Sequence, residues 1–114
     1  MLEMARASHV EIAIHADSIP IIGEARDYAS MGLIPAGSYA TKHFCKHMVD
    51  ISAGTEAVMV DLIFDPQTSG GLVMAMPPDQ AKACLSRLKS EGIDLAAIIG
   101  EVVGSHPKGK LRIT

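Results

Sequence analysis

The 114-residue chain has no tryptophan, two tyrosines and two phenylalanines, so aromatics make up only 4% of it. Its core must come from Ile, Val, Leu, Ala and the seven methionines, whose thioethers fill irregular gaps where rings are scarce. Lysines and arginines are not clustered, and the formal net charge is -3. Without a basic patch there is no electrostatic footprint for a phosphate backbone, so nucleic acid is excluded as the expected partner. No apolar run approaches the ~20 residues that cross a bilayer, so no membrane partner is expected. Met1–Arg6 also lacks the charged start and long apolar stretch of a signal peptide. Cysteine is scarce as well: Cys45 and Cys84 are too few for a disulfide-stapled secreted scaffold. Two free thiols and a cytoplasmic location are the corresponding expectations.

What is present suits a globular chain. Hydrophobic residues make up 48% and charged residues 20%, a balance that can bury a core, and the length suits a single domain over residues 1–114. Leu2, Met4 and Ala5 suggest a helix over Met1–Ser8 with no capping residue before it. An uncapped first helix points to sequence removed upstream, and so to a fragment of a longer protein. Val10, Ile12 and Ile14 alternate with Glu11, Ala13 and His15, the period of a half-buried strand. Asp17, Ser18 and Pro20 signal a helix start. The next segment carries an apolar stripe of Ile21, Ile22, Ala25, Tyr28 and Ala29, and Gly32 is placed to end it in a left-handed conformation.

Pro35, Gly37 and Ser38 read as a loop, with a short helix over Lys42–Val49 after it. Glu56–Phe64 reads as helix, with Val60, Ile63 and Phe64 on one side. Leu72–Met76 is a short apolar strand. Pro77-Pro78-Asp79 opens a helix that buries Ala81, Cys84, Leu85 and Leu88 and ends at Gly92. Ala97–Val103 is a further strand, with Gly100 as a bulge or close-approach site. Ser105–Gly109 is a turn, and Lys110–Thr114 is its hairpin partner. Lys108 and Lys110 read as a solvated turn and edge, and Met48, Met59, Met74 and Met76 as core filler. Alternating strands and helices without repeats predict an α/β (α+β) domain, a mixed sheet flanked by helices.

Asp65-Pro66-Gln67-Thr68-Ser69-Gly70-Gly71 is the most unusual stretch. Pro66 disfavours helical geometry at Asp65, and the glycine pair permits backbone angles that other residues avoid. The loop offers a carboxylate, an amide, two hydroxyls and several N–H groups. It suits an anion-binding nest, or else Asp65 caps its own turn and the glycines allow a sharp entry into a strand. It is not the lysine-bearing G-x-x-x-x-G-K-[ST] phosphate loop.

With Leu72 added, this string resembles the D-P-Q-T-S-G-G-L signature of selenophosphate synthetases (selenide, water dikinases). Leu2-Glu3-Met4-Ala5, Pro20 to Gly23, Gly32-Leu33-Ile34-Pro35-Ala36-Gly37 and Ile98-Ile99-Gly100-Glu101-Val102 resemble that family in the same order. The resemblance covers nearly the whole chain. It implies a superfamily shared with aminoimidazole ribonucleotide (AIR) synthetases, and a two-domain enzyme that converts ATP, selenide and water to selenophosphate, AMP and phosphate with magnesium. This chain would be the C-terminal domain, closing over a cleft on the N-terminal domain. The N-terminal domain would form the homodimer and hold most ATP and magnesium ligands.

The family's reactive cysteine or selenocysteine with its lysine, and its metal-binding aspartates, fall outside the motifs found here. No catalytic or metal residue is therefore assigned, and the chain alone is expected to be inactive. Asp65, Thr68, Ser69, Gly70 and Gly71 are the candidates for a cleft-facing or phosphate-binding role. Many relatives carry an arginine-asparagine pair where this chain reads Ser38-Tyr39-Ala40-Thr41-Lys42. Two alternatives remain open: another ATP-dependent enzyme of the superfamily, and a stand-alone non-catalytic binding module. His43 and His47 would share a helix face, but two histidines do not make a four-ligand zinc site.

Overall fold

The computed structural model describes residues 1–114. Helix α1 (Leu2–Ser8) ends at His9, which takes the left-handed conformation (φ 52°) and turns the chain directly into β1 (Val10–Ile14). A 3-10 turn (Ala16–Ser18) follows, then α2 (Gly23–Ser30), α3 (Ala36–Cys45), β2 (Val49–Ile51), α4 (Ala57–Ile63), α5 (Pro78–Ser90), β3 (Gly100–Ser105) and β4 (Lys110–Ile113). The strands form one mixed sheet in the order β2-β4-β1-β3. β4 runs parallel to both β1 and β2, and β3 is antiparallel to β1. The result is the expected α+β class.

The sheet's inner face explains the core. Ile12 and Ile14 lie in register with Leu111 and Ile113, and Leu111 in register with Val49. This ladder packs with Ala5 of α1, Val60 of α4, and Phe64. Burying each large aliphatic side chain stabilises the fold by about 1.5–3 kcal/mol. The opposite face is polar over β4 and β2, where Lys110 pairs with Asp50 and Arg112 with Glu11. β1 is less one-sided than its alternation suggests. Ala13, flanked in register by Glu101 and Arg112, is also buried.

Several elements depart from the sequence expectations. Lys110–Ile113 is not the hairpin partner of β3, because β1 lies between the two. The Ser105–Gly109 turn instead arches over the start of β1. It is clamped there by the His106 N–H donating to the His9 carbonyl (2.8 Å) and His9 Nδ1 donating to Pro107 O (2.9 Å). Gly109 makes this arch possible: its φ is 66°, and a Cβ would collide with the backbone of Ala5 and Arg6. Lys110 therefore belongs to a central strand rather than an edge.

The supposed Pro35–Ser38 loop is the start of α3, since Pro35 is its N-cap and Ala36, Gly37 and Ser38 form its first turn. α3 ends at Cys45, so His43 and His47 do not share a helix, and Val49 is already in β2. The proposed stripe on α2 buries Ala29 only, leaving Ile22 and Tyr28 exposed. Gly32 and Gly92 do end their helices with positive φ, 80° and 85°. In β3, Gly100 is the close-approach site: a Cβ there would strike the Ala13 carbonyl. The bulge falls instead at Val103, because Glu11 pairs with Gly104 and Ile12 with Val102.

The largest departure is Leu72–Met76, which is not a strand. Backbone groups from Thr68 to Met76 make no hydrogen bond within the chain. Met74 is exposed rather than core filler, whereas Met59 is fully buried. α5 forms, but its Ala81, Cys84, Leu85 and Leu88 are only half-buried. The accessible surface reflects this: 7826 Å², against about 6000 Å² for a compact monomer of this mass. Cys45 and Cys84 are free thiols, and no helix is long and apolar enough to cross a membrane.

Candidate functional site

A cavity of about 200 Å³ opens between α2, α3 and α4. Ala25, Tyr28 and Ala29 of α2 line one side, and Leu33, Ile34 and Pro35 approach along the connection to α3. Ser38 of α3, Asp61 and Leu62 of α4, and Asp65 just after it complete the lining. The lining residues are thus mainly apolar, and carry two hydroxyls, on Tyr28 and Ser38, and two carboxylates.

Local structure explains how the Asp65–Gly71 loop reaches this place. α4 ends at Ile63, and Asp65 N–H donates to Leu62 O at 3.1 Å, closing a last turn. Pro66 then departs and packs against the first turn of α3. A Cβ on Gly37 would stand 2.8 Å from Pro66 Cγ, so glycine at 37 is what lets the two segments touch. The Pro35-Ala36-Gly37 and Asp65-Pro66-Gln67 strings, far apart in sequence, therefore meet at one end of the cavity.

The polar groups are unevenly satisfied. Asp61 Oδ1 accepts from Lys42 Nζ at 3.2 Å, which offsets its charge. The Asp65 carboxylate makes no hydrogen bond within the chain, so Asp65 does not cap its own turn. Ser38 is 2% exposed, lines the cavity, and its Oγ has no partner. A buried hydroxyl left this way loses its hydrogen bond to water, which costs about 1–3 kcal/mol. Sequence reasoning missed Ser38. Its position after Pro35 read as a loop, and only the packing of α2 and α4 around it shows that it is buried.

Of the sequence-derived candidates, Asp65 lines the cavity, while Thr68, Ser69, Gly70 and Gly71 stand exposed beyond it. The loop is not a preformed anion nest, since neither Gly70 nor Gly71 has a positive φ. Its glycines therefore do not supply left-handed geometry in this conformation. The N–H groups of residues 68–71 are nonetheless free of internal acceptors and remain available as donors. Over Gly70 lies the Gln67 side chain, whose Oε1 a Cβ would meet at 2.6 Å. No three His, Cys, Asp or Glu side chains are placed to hold a metal ion. No metal step is assigned to these residues.

The fold is thus a mixed-sheet α+β unit whose Asp65–Gly71 loop starts at a helix-lined cavity. The chain belongs to the AIR synthase related protein, C-terminal domain family, which it matches over residues 1–112. It is similar to a selenide, water dikinase of Clostridioides difficile (strain 630), 42% identical over 113 residues, covering 99% of this chain and 32% of that protein. A selenide, water dikinase of Pelobacter propionicus is 43% identical over 103 residues, covering 90% of this chain and 30% of the relative. The selenide, water dikinase 2 of Peptoclostridium acidaminophilum is 41% identical over 106 residues, 93% of this chain and 30% of its own length. The chain thus spans about a third of the length of the curated relatives it matches.

Proposed function

We propose that this chain is one domain of a two-domain selenide, water dikinase, acting in the cytoplasm with an N-terminal domain that completes its cleft. The observation that carries this reading is the meeting of Pro66 with Gly37 beside the Asp65- and Ser38-lined cavity. Those contacts gather two of the family-like strings, Pro35-Ala36-Gly37 and Asp65-Pro66-Gln67, into one place, next to unpartnered polar groups.

In this reading Thr68, Ser69, Gly70 and Gly71 supply hydroxyl and N–H donors to a phosphate of ATP, and Asp65 and Ser38 line the wall behind it. ATP, selenide and magnesium are handled mostly by the N-terminal domain, which also forms the homodimer. Phosphoryl transfer depends on positioning and on neutralising charge. A domain that contributes donors but no metal ligands therefore assists the reaction without performing it alone.

Anaerobic phosphorus NMR with ATP, magnesium and selenide tests the assignment. The chain alone is expected to give no selenophosphate, and a signal is expected once the N-terminal domain is supplied. Turnover by the chain alone would place the chemistry within residues 1–114 and overturn the reading. In the two-domain enzyme, Thr68→Val is expected to slow selenophosphate formation at least roughly tenfold, the loss of about one charge-assisted hydrogen bond, with the melting temperature unchanged. Unfolding instead would make the loop a structural element.

A further inference from the structure

The two edges of the sheet are protected to different degrees. β2 is three residues long and carries Asp50, the partner of Lys110. β3 is six residues long and contains neither Lys nor Pro; it carries Glu101 and the bulge at Val103, but one side of it is unpaired and Val102 is 53% exposed. An edge of that kind is a template for another strand. The same chain holds an apolar segment without a single backbone partner, Leu72–Met76, in which Leu72 is 94% exposed.

We propose that Leu72–Met76 is a detachable fifth strand that adds parallel to the open edge of β3, giving the order β2-β4-β1-β3 followed by this segment. Connectivity selects the occupant. Leu72–Met76, α5 and β3 follow one another as a strand, a helix and a strand. Parallel neighbours require such a crossover, and it is right-handed in nearly every protein. The handed crossover lays α5 across the sheet, where the half-buried stripe of Ala81, Cys84, Leu85 and Leu88 finds a surface to cover.

The excess of accessible area, 7826 Å² against about 6000 Å², is the surface such a closure would remove. Loop residues 68–71 lead straight into the strand, so its attachment would also fix their N–H groups. The strand itself stands whether or not that loop binds phosphate.

Amide hydrogen exchange on the 114-residue chain, read by NMR, tests this. The amides of residues 72–76 are expected to exchange at least roughly tenfold more slowly than an unstructured chain, at a rate independent of protein concentration. Met74→Pro, which removes a donor and stiffens the backbone, is expected to abolish that protection and to speed exchange in β3. Ile12 and Ile14 should stay protected, showing that the rest of the sheet is folded. Should Met74→Pro fail to fold, the milder Val73→Gly gives the same comparison.

Coil-like exchange over 72–76 in the unaltered chain would overturn the proposal, as would β3 exchange that ignores both substitutions. Protection that grows with protein concentration would overturn it too, by making a second copy the occupant of the edge.

Discussion

Eleven of the 14 buried residues precede Asp65, and the other three are Gly109, Leu111 and Ile113. From Asp65 to Lys108 no residue is buried, although this stretch holds Leu72, Val73, Met74, Leu85, Ile93, Leu95, Ile98 and Val102. Apolar content alone thus does not make a core. In the first region, strand pairing sets Ile12, Ile14, Leu111 and Ile113 side by side, so that one helical layer covers them all. In the second, α5 has a good local start at Pro77-Pro78-Asp79, yet it covers no comparable ladder of paired strands.

The contrast can be broken most severely at Gly109. Gly109→Val places a β-branched residue at φ 66° and drives its Cβ into the α1 backbone. Strain of about 1–3 kcal/mol from the backbone angle alone, added to the collision, is expected to abolish the cooperative thermal transition seen by circular dichroism. A folded variant with a modest loss would show that the arch can move away from α1. Next comes Ile113→Ala, where truncation at a 1% exposed site should cost about 2–5 kcal/mol in urea unfolding.

Ser38→Ala is expected to act in the other direction. Removing the unpartnered Oγ should raise stability by about 1 kcal/mol, and a loss instead would mean that ordered water satisfies the hydroxyl. The smallest effect is expected from Leu72→Ser, a loss of about 0.5–1 kcal/mol, above the range of a freely exposed site, because the added strand covers Leu72. A loss within the exposed-site range would count against that strand.

Elements governed by local chemistry were legible in the sequence. The periodicity of α1, β1, α4 and α5 and the terminating Gly32 and Gly92 depend on near neighbours, and each is found where the pattern put it. Pairing was not legible. Ser105–Gly109 has the composition of a hairpin turn, but β1, a hundred residues earlier, occupies the place beside β3, so the turn became an arch. α3 was misjudged at its start because proline, glycine and serine usually mark loops; here Pro35 is an N-cap, where its missing N–H costs nothing. The apolar run at Leu72–Met76 has strand composition, but composition does not supply the neighbour that a strand needs. Asp65 was readable as part of the candidate site from its motif, whereas Ser38 required three helices to be placed around it.

The central position of β4 also bears on how the protein comes into being on the ribosome. Residues 110–113 separate β1 from β2, so the sheet cannot close until more than a hundred residues have been translated. At about 5–20 residues per second, β1 waits roughly 5–20 s with Ile12 and Ile14 uncovered. During that interval the apolar face of β1 stays exposed to water, and the translation rate across α5 and β3 sets how long it does so.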